Sequence, residues 1–403
     1  MNRTLEVFVD QSTWPKGTGV VPAFPASFQP GISNYDINIP AMLLNIGYLT
    51  TPVSSTGVSL SEFWAWVRYL SAITNDPDMR LTNSFFDLDP HQKTILSDDF
   101  GMGVPMLWLT KKLSLNNIVD GNYFVKKIAA SMHVKQIKSG KRGPNKTPDF
   151  VAEDNFGNWH VIECKGTQSG PDYSDTQLGL KGKPNTGGIV QKRSIIFPAG
   201  HTGQRLACGL SIGIEGKSTS VLKIVDPEPE APFEVKEKDL IFAEDAIVRG
   251  TISKILRLSG FEITAECIAS PLGKTPDATR FRSRTSENKR IESVRERNQR
   301  SSFEIRDFLD GENNNLLFGG RERTIELPRT IMVDGRPVSR VIIIQKINID
   351  VIKRFSSSYF NEGPFYDSFS DLKSMMHGSE ITSDELSARV NFGDVYQSEL
   401  ILD

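Results

Sequence analysis

Asp149, Glu163 and Lys165 are the residues of this sequence whose types and spacing suit work on a phosphate ester. Pro148-Asp149 is followed, after thirteen residues, by Glu163-Cys164-Lys165. Between them, Phe150-Val151-Ala152 predicts a short strand, Asp154-Asn155-Phe156-Gly157-Asn158 a turn, and Trp159–Lys165 a second strand. The stretch therefore predicts a β-hairpin. Side chains alternate along a strand, so Glu163 and Lys165 share a face while Cys164 points the other way. The turn folds Asp149 back toward Glu163, and two carboxylates and one ammonium converge at the end of a sheet.

The chemistry of such a cluster is specific. Two close carboxylates repel, and one lysine compensates only in part. Their oxygens are hard ligands that suit Mg²⁺, an ion that keeps several waters and also binds phosphate oxygens. Such a site neutralises a phosphodiester, stabilises charge growing at phosphorus and lowers the pKa of an attacking water. The Cys164 carbonyl leaves the strand sideways beside Glu163 and is a further candidate ligand. Lys165 suits orienting the water and stabilising charge; as a general base it would need a lowered pKa. Cys164 itself points away from the cluster and is expected in the core rather than as a nucleophile.

Basic residues bracket the hairpin. Lys135, Lys138, Lys141, Arg142 and Lys146 precede it, and Lys181, Lys183, Lys192, Arg193 and Arg205 follow it. Phosphate contacts supply position and much of the affinity in nucleic-acid binding, so both groups are expected to border one groove. A second basic stretch, residues 274–306, holds Arg280, Arg282 and Arg284 at alternate positions. Lys289, Arg290, Arg295, Arg297 and Arg300 follow, with Glu292 and Glu296 as partners for a surface helix. A salt-bridged surface helix and a DNA-reading element fit it equally.

The Pro148-Asp149 … Glu163-Cys164-Lys165 pattern, in its strand–turn–strand context, resembles the core motif of the PD-(D/E)xK nuclease superfamily. The resemblance covers roughly residues 98–225, about a third of the chain. It implies an α/β (mixed α+β), restriction-endonuclease-like core, a mixed sheet flanked by helices, and Mg²⁺-dependent cleavage of DNA, with Mn²⁺ as a substitute ion. Members often carry an acidic ligand on an earlier helix. Asp99 is the candidate here, with Asp98 and Glu62 behind it. Many also carry Gln or Lys shortly after the hairpin, and Gln191 and Lys192 are the nearest match. The expected metal set is Asp149, Glu163, Cys164 and Asp99. The expected nucleic-acid contacts are Lys141, Arg142, Lys146, Lys181, Lys183, Gln191, Lys192, Arg193 and Arg205. A role in restriction or anti-phage defence, a homodimer or larger oligomer and a defence-system partner protein follow from the resemblance alone. The competing reading is a nucleic-acid-binding or assembly protein that keeps the fold without turnover.

The elements that must position these residues are less sharply marked. Residues 1–58 are rich in Pro, Gly, Ser and Thr and predict an irregular or small-stranded segment over a core. Ser59 and Glu62 form a capping-box pattern before a helix over about 60–73, where Phe63, Trp66, Val67 and Leu70 fall at helical spacing. Helices are also expected at about 101–113, with Pro105 in the first turn, at 123–132 and at 239–258. Strands are expected at 194–197, 207–214 and 220–225. The run 338–344 reads as a buried strand. The prolines of 226–232 suggest a linker. The expected domains are 1–97, an N-terminal segment packed on the core; 98–228, the nuclease domain; and 233–403, an additional C-terminal α/β domain.

Composition narrows the classes. The 403 residues hold 47 basic and 49 acidic side chains, a balance that excludes a histone-like or acidic-tail protein but not a local patch. Three cysteines without a CxxC pair exclude a disulfide scaffold or an all-cysteine zinc site. Five scattered histidines contain no HExxH, and neither Gly101-Met102-Gly103 nor the glycines of 182–188 continue into GK[ST]. No apolar window approaches a membrane span, and Glu6 and Asp10 interrupt the stretch a secretory leader would need, so a cytoplasmic location is expected.

Overall fold

Residues 2–225 supply a mixed seven-stranded sheet, visible in a computed structural model. The structure describes residues 1–403 except 18–20, 54–66, 132–146, 182–187, 189–194, 227–232, 270–283, 312–315, 362 and 364–368. In chain order the strands are β1 (Asn2–Val9), β2 (Gly31–Asn38), β3 (Leu115–Asp120), β4 (Phe150–Asp154), β5 (Trp159–Thr167), β6 (Thr202–Ser211) and β7 (Val221–Val225). Their order across the sheet is β2-β1-β7-β6-β5-β4-β3. The β5–β6 and β1–β7 pairs are parallel and the others antiparallel.

The expected hairpin is β4–β5, with Phe150 opposite Ile162 and Val151 opposite Val161. Asp154 forms its turn by accepting the backbone N–H groups of Phe156 and Asn158, both at 2.8 Å. Gly157 takes φ +80° there, a left-handed value that costs glycine little. All five β4 residues are buried, as expected for a strand covered on both faces.

The first 58 residues depart from expectation. They contribute two strands, β1 and β2, and the buried helix α1 (Ile39–Thr50), whose N-terminus is capped by Asn38. The alternation of Leu5, Val7 and Val9, all buried, is a strand signature that the surrounding polar residues obscured. The helix expected at 101–113 begins earlier. It is α2 (Pro90–Leu113), with Asp89 accepting from the amides of His91 and Gln92. Pro90 holds the first-turn position, and Pro105 lies inside the helix instead. An interior proline costs about 3 kcal/mol, which the burial of Val104 through Leu109 offsets. The boundary expected at residue 98 thus falls within a continuous helix. Most of the helix expected at 60–73 lies outside the described residues.

Helices α3 (Gly121–Ser131), α4 (Pro171–Leu178) and α5 (Leu240–Ser259) complete the surroundings of the sheet. Beyond them, α6 (Arg284–Gly311) carries the later part of the second basic stretch on a mostly exposed surface. Arg280 and Arg282 lie outside the described residues. Strands β8 (Phe318–Val333), β9 (Arg336–Asn348), β10 (Glu380–Ser383), β11 (Ser387–Phe392) and β12 (Tyr396–Leu402) form an antiparallel sheet ordered β8-β9-β12-β11-β10. Along β9 the buried Val341, Ile343, Gln345 and Ile347 alternate with the partly exposed Ile342, Ile344 and Lys346, so one face of this stretch is covered. One apolar core runs through both sheets, from Leu5 to Leu402. Among the described residues, no helix is long and apolar enough to cross a membrane.

Candidate active site

The strand ends bring the acids together. β3 runs antiparallel to β4 with Asp120 opposite Phe150, and β5 runs antiparallel to β4 with Ile162 opposite Phe150. Asp120, Asp149 and Glu163 therefore lie on adjacent rows at one end of the sheet. Asp149 has just left β4, and its backbone is still held: Gly121 N–H donates to Asp149 O at 2.9 Å.

Asp149 and Glu163 are linked reciprocally. Asp149 N–H donates to Glu163 Oε2 at 3.1 Å, and Cys164 N–H donates to Asp149 Oδ2 at 2.8 Å. Lys165 Nζ forms an ion pair with Glu163 Oε1 and lies 3.8 Å from Asp149 Oδ2. The expected convergence of these three side chains is present in the structure. The N–H and C=O of one residue leave a strand on the same side. The Cys164 carbonyl therefore faces the edge where its amide meets Asp149. The Cys164 side chain is buried beside Cys208, its partner in the β5–β6 register, away from the acids.

Electrostatics follow from depth. The Glu163 side chain is fully buried, whereas those of Lys165 and Asp149 retain 24 % and 29 % exposure. Burial, reinforced by the charge of Asp149 and opposed by Lys165, pushes the Glu163 carboxyl up to about 8. Burial also raises Asp149, against Lys165 and the Cys164 amide. For Lys165, burial acts downward, but Asp149 and Glu163 outweigh it and hold the ammonium above its ordinary value. An ion pair near 4 Å is worth roughly 4 kcal/mol at an effective dielectric of about 20. Desolvation costs several kcal/mol per ion, so one lysine does not fully compensate two acids.

Helix α2 supplies the next acid, and two glycines set its distance. A Cβ on Gly166 would fall 1.8 Å from Ser97 O, and one on Gly101 would fall 2.5 Å from Gly166 N. Only this bare contact lets α2 lie on the end of β5. Asp98 is the α2 acid that feels the cluster: burial raises its pKa, Lys165 opposes this and Asp149 adds to it. Asp99, the expected ligand, instead accepts a hydrogen bond from the Tyr69 hydroxyl. Burial pushes Asp99 up to about 6, with Tyr69 opposing and Asp98 adding. The two aspartates face different neighbours, because adjacent helix residues point about 100° apart. Glu62 lies outside the described residues.

The expected nucleic-acid contacts divide three ways. Lys141, Arg142, Lys146, Lys183, Gln191, Lys192 and Arg193 lie outside the described residues. Lys181 is half-exposed and pairs with Asp172 at 2.5 Å and Asp175 at 3.4 Å. Arg205 stands in β6 between β5 and β7 and is 7 % exposed, because both faces of that interior strand are covered. Gly188, near the end of the glycine-rich stretch, lies over Glu163, where a Cβ would come within 3.2 Å of its Cγ. Sequence reasoning passed over Asp120 and the strand before it. The apolar pair Ile118-Val119 ahead of Asp120-Gly121 was the available signal.

The donor set suits a hard divalent cation. Among the described residues, the buried Glu163 Oε1 meets no donor but the Lys165 ammonium, with which it forms an ion pair. Asp149 retains solvent access beside it. Among the described residues no three His, Cys, Asp or Glu side chains form a ready ligand group. Mg²⁺ does not require one, since one or two carboxylates with waters and substrate phosphate suffice.

No family model, curated protein or solved structure matches this chain.

Proposed function

We propose that this protein is a Mg²⁺-dependent endonuclease that hydrolyses phosphodiester bonds of DNA on a restriction-endonuclease-like core of the PD-(D/E)xK type. The observation that carries the reading is the meeting of Asp149, Glu163 and Lys165 at one sheet end, with a fully buried glutamate whose Oε1 pairs, among the described residues, with the Lys165 ammonium. A carboxylate buried at this cost, beside a second acid, is the kind of arrangement found at functional sites. Asp149, Glu163 and the Cys164 carbonyl would hold the ion, with Asp98 adding negative field from α2. The bound ion would supply Lewis acidity at a phosphate oxygen and a water of lowered pKa.

The chain's own groups do the rest. Asp149 fixes the Cys164 amide, and Glu163 fixes the Asp149 amide, so the two carboxylates are oriented before substrate arrives. Lys165 is protonated at neutral pH, its ammonium being favoured by both acids. It therefore serves as a positive charge that orients the attacking water and stabilises the pentavalent phosphorus, rather than as the base. Water adds to phosphorus, one P–O ester bond breaks, and the leaving oxygen takes up a proton. A place in cytoplasmic restriction or anti-phage defence belongs to this proposal through the resemblance alone.

The test is incubation of the purified chain with plasmid, linear and single-stranded DNA, and RNA, across Mg²⁺ and Mn²⁺. Metal-dependent cleavage lost in Asp149→Ala, Glu163→Ala and Lys165→Ala is the expected result. Nucleic-acid binding without cleavage, unchanged by all three substitutions, would favour a binding or assembly protein without turnover.

A further inference from the structure

A cavity of about 370 Å³ opens at the same end of the sheet as the carboxylate cluster. Leu49, Val53, Met102 and Tyr123 give it an apolar wall, and Asp120 and Asn122 add polar groups. Three links tie it to the cluster. Asp120 contributes to the field at Asp149, and the neighbouring Gly121 amide holds the Asp149 carbonyl. Met102 lies one helical turn beyond Asp98, on the same face of α2.

We propose that this cavity receives one unpaired nucleobase of the substrate, flanking the phosphate held at Asp149 and Glu163. The inference rests on the nuclease reading and adds a substrate class to it: single-stranded DNA, or duplex with a base already free to turn out.

The argument is one of size and chemistry. The volume lies near the lower end of small-ligand pockets, which run from about 300 to 1,000 Å³, and suits one nucleoside better than a longer segment. An apolar wall with few polar groups matches a base, whose faces stack and whose edge carries donors and acceptors. Asp120 offers acceptors only. Lys254, fully buried, stands 3.4 Å from Asp120 Oδ1 and keeps a positive partner behind that carboxylate. Asn122 is exposed and offers a donor and an acceptor together. Such groups read an edge that Watson–Crick pairing would otherwise occupy. Extrusion is least costly for a base that is mismatched or already single-stranded. The Tyr123 hydroxyl is engaged with Ala269 O at 3.0 Å, so that ring is a fixed wall rather than a mobile reader.

The experiment has two arms on the full-length chain. First, 2-aminopurine deoxyriboside 5′-monophosphate is titrated with protein while its fluorescence is followed. A saturable change, reversed by unlabelled deoxynucleotides and weakened at least tenfold in Met102→Ala/Asn122→Ala, is expected. These side chains are half-buried and exposed, and circular dichroism checks that the variant folds. No saturable change, or equal affinity in the variant, would overturn the pocket. Second, cleavage is compared on a single strand and on its fully paired duplex, with a rate at least tenfold higher on the single strand expected. Equal rates would overturn the unpaired-base assignment while leaving the nuclease intact. Nucleotide binding that depends on Met102 and Asn122, with no cleavage of either substrate, would sink the nuclease reading and support the pocket.

Discussion

Asp149 and Glu163 hold one another through the backbone: the Asp149 amide donates to Glu163 Oε2 at 3.1 Å. The Asp149 carboxylate in turn accepts the Cys164 amide at 2.8 Å. Each acid therefore spends one oxygen on orientation, and the charge left over falls to Lys165. This division of labour makes the pair sensitive to pH, to metal and to the seating of α2.

Stability should fall as pH rises across the range in which Glu163 titrates. Its carboxyl ionises near 4.5 in the unfolded chain and at about 8 when folded, raised chiefly by burial and then by Asp149. Between those values the folded protein binds the extra proton, so unfolding becomes easier with increasing pH and levels off above about 8. Asp149 and Asp99 act with the same sign in both proteins compared. Urea unfolding midpoints at pH 5 and pH 8 should therefore show a smaller loss in Glu163→Gln than in wild type. Equal losses would contradict the assignment.

Divalent metal should displace that proton. A protonated Glu163 is a poor ligand, so binding at pH 7 is expected to release close to one proton and to tighten as pH rises toward 8. Titration calorimetry in two buffers of different ionisation enthalpy measures the release directly. Glu163→Gln should bind weakly and release none. Proton-silent binding by the wild type would place the ion elsewhere.

The two adjacent aspartates of α2 should separate cleanly. Asp98→Asn removes negative field from Lys165 and Asp149 and is expected to raise the Mg²⁺ concentration needed for half-maximal cleavage about tenfold, the equivalent of roughly 1.4 kcal/mol. Asp99→Asn weakens the bond to Tyr69 and should cost about 1 kcal/mol of stability with the metal requirement unchanged. A reversed pattern would restore Asp99 as the ligand.

Close backbone contact should make Gly166 intolerant of a single methyl group. Gly166→Ala drives a Cβ to 1.8 Å from Ser97 O, and the helix must move off the strand. A loss of roughly 1–3 kcal/mol or more is expected, together with reduced cleavage as Asp98 withdraws. Gly200→Ala meets nothing within 4 Å and serves as the control, with stability near wild type. Thermal melts of the two variants decide it.

Much of the central hairpin was legible in the linear order of residues. Alternation placed Glu163 and Lys165 on one face and Cys164 on the other, and the Asp154–Asn158 turn returned Asp149 beside them, because these are short-range consequences of strand geometry. Elements held mainly by long-range burial were not legible. β1 and β2 join a sheet whose next partner, β7, lies some two hundred residues on. Pro105 sits where local propensity forbids it and tertiary packing tolerates it.

Local order along one hairpin brings Asp149, Glu163 and Lys165 together, since that hairpin carries all three. Packing of distant segments decided that Asp99 meets Tyr69, that Arg205 is buried, and that burial pushes the Glu163 carboxyl up to about 8. The physical reason is that spacing along a strand fixes direction, whereas depth, neighbouring charge and the approach of one backbone to another arise only when distant segments pack together.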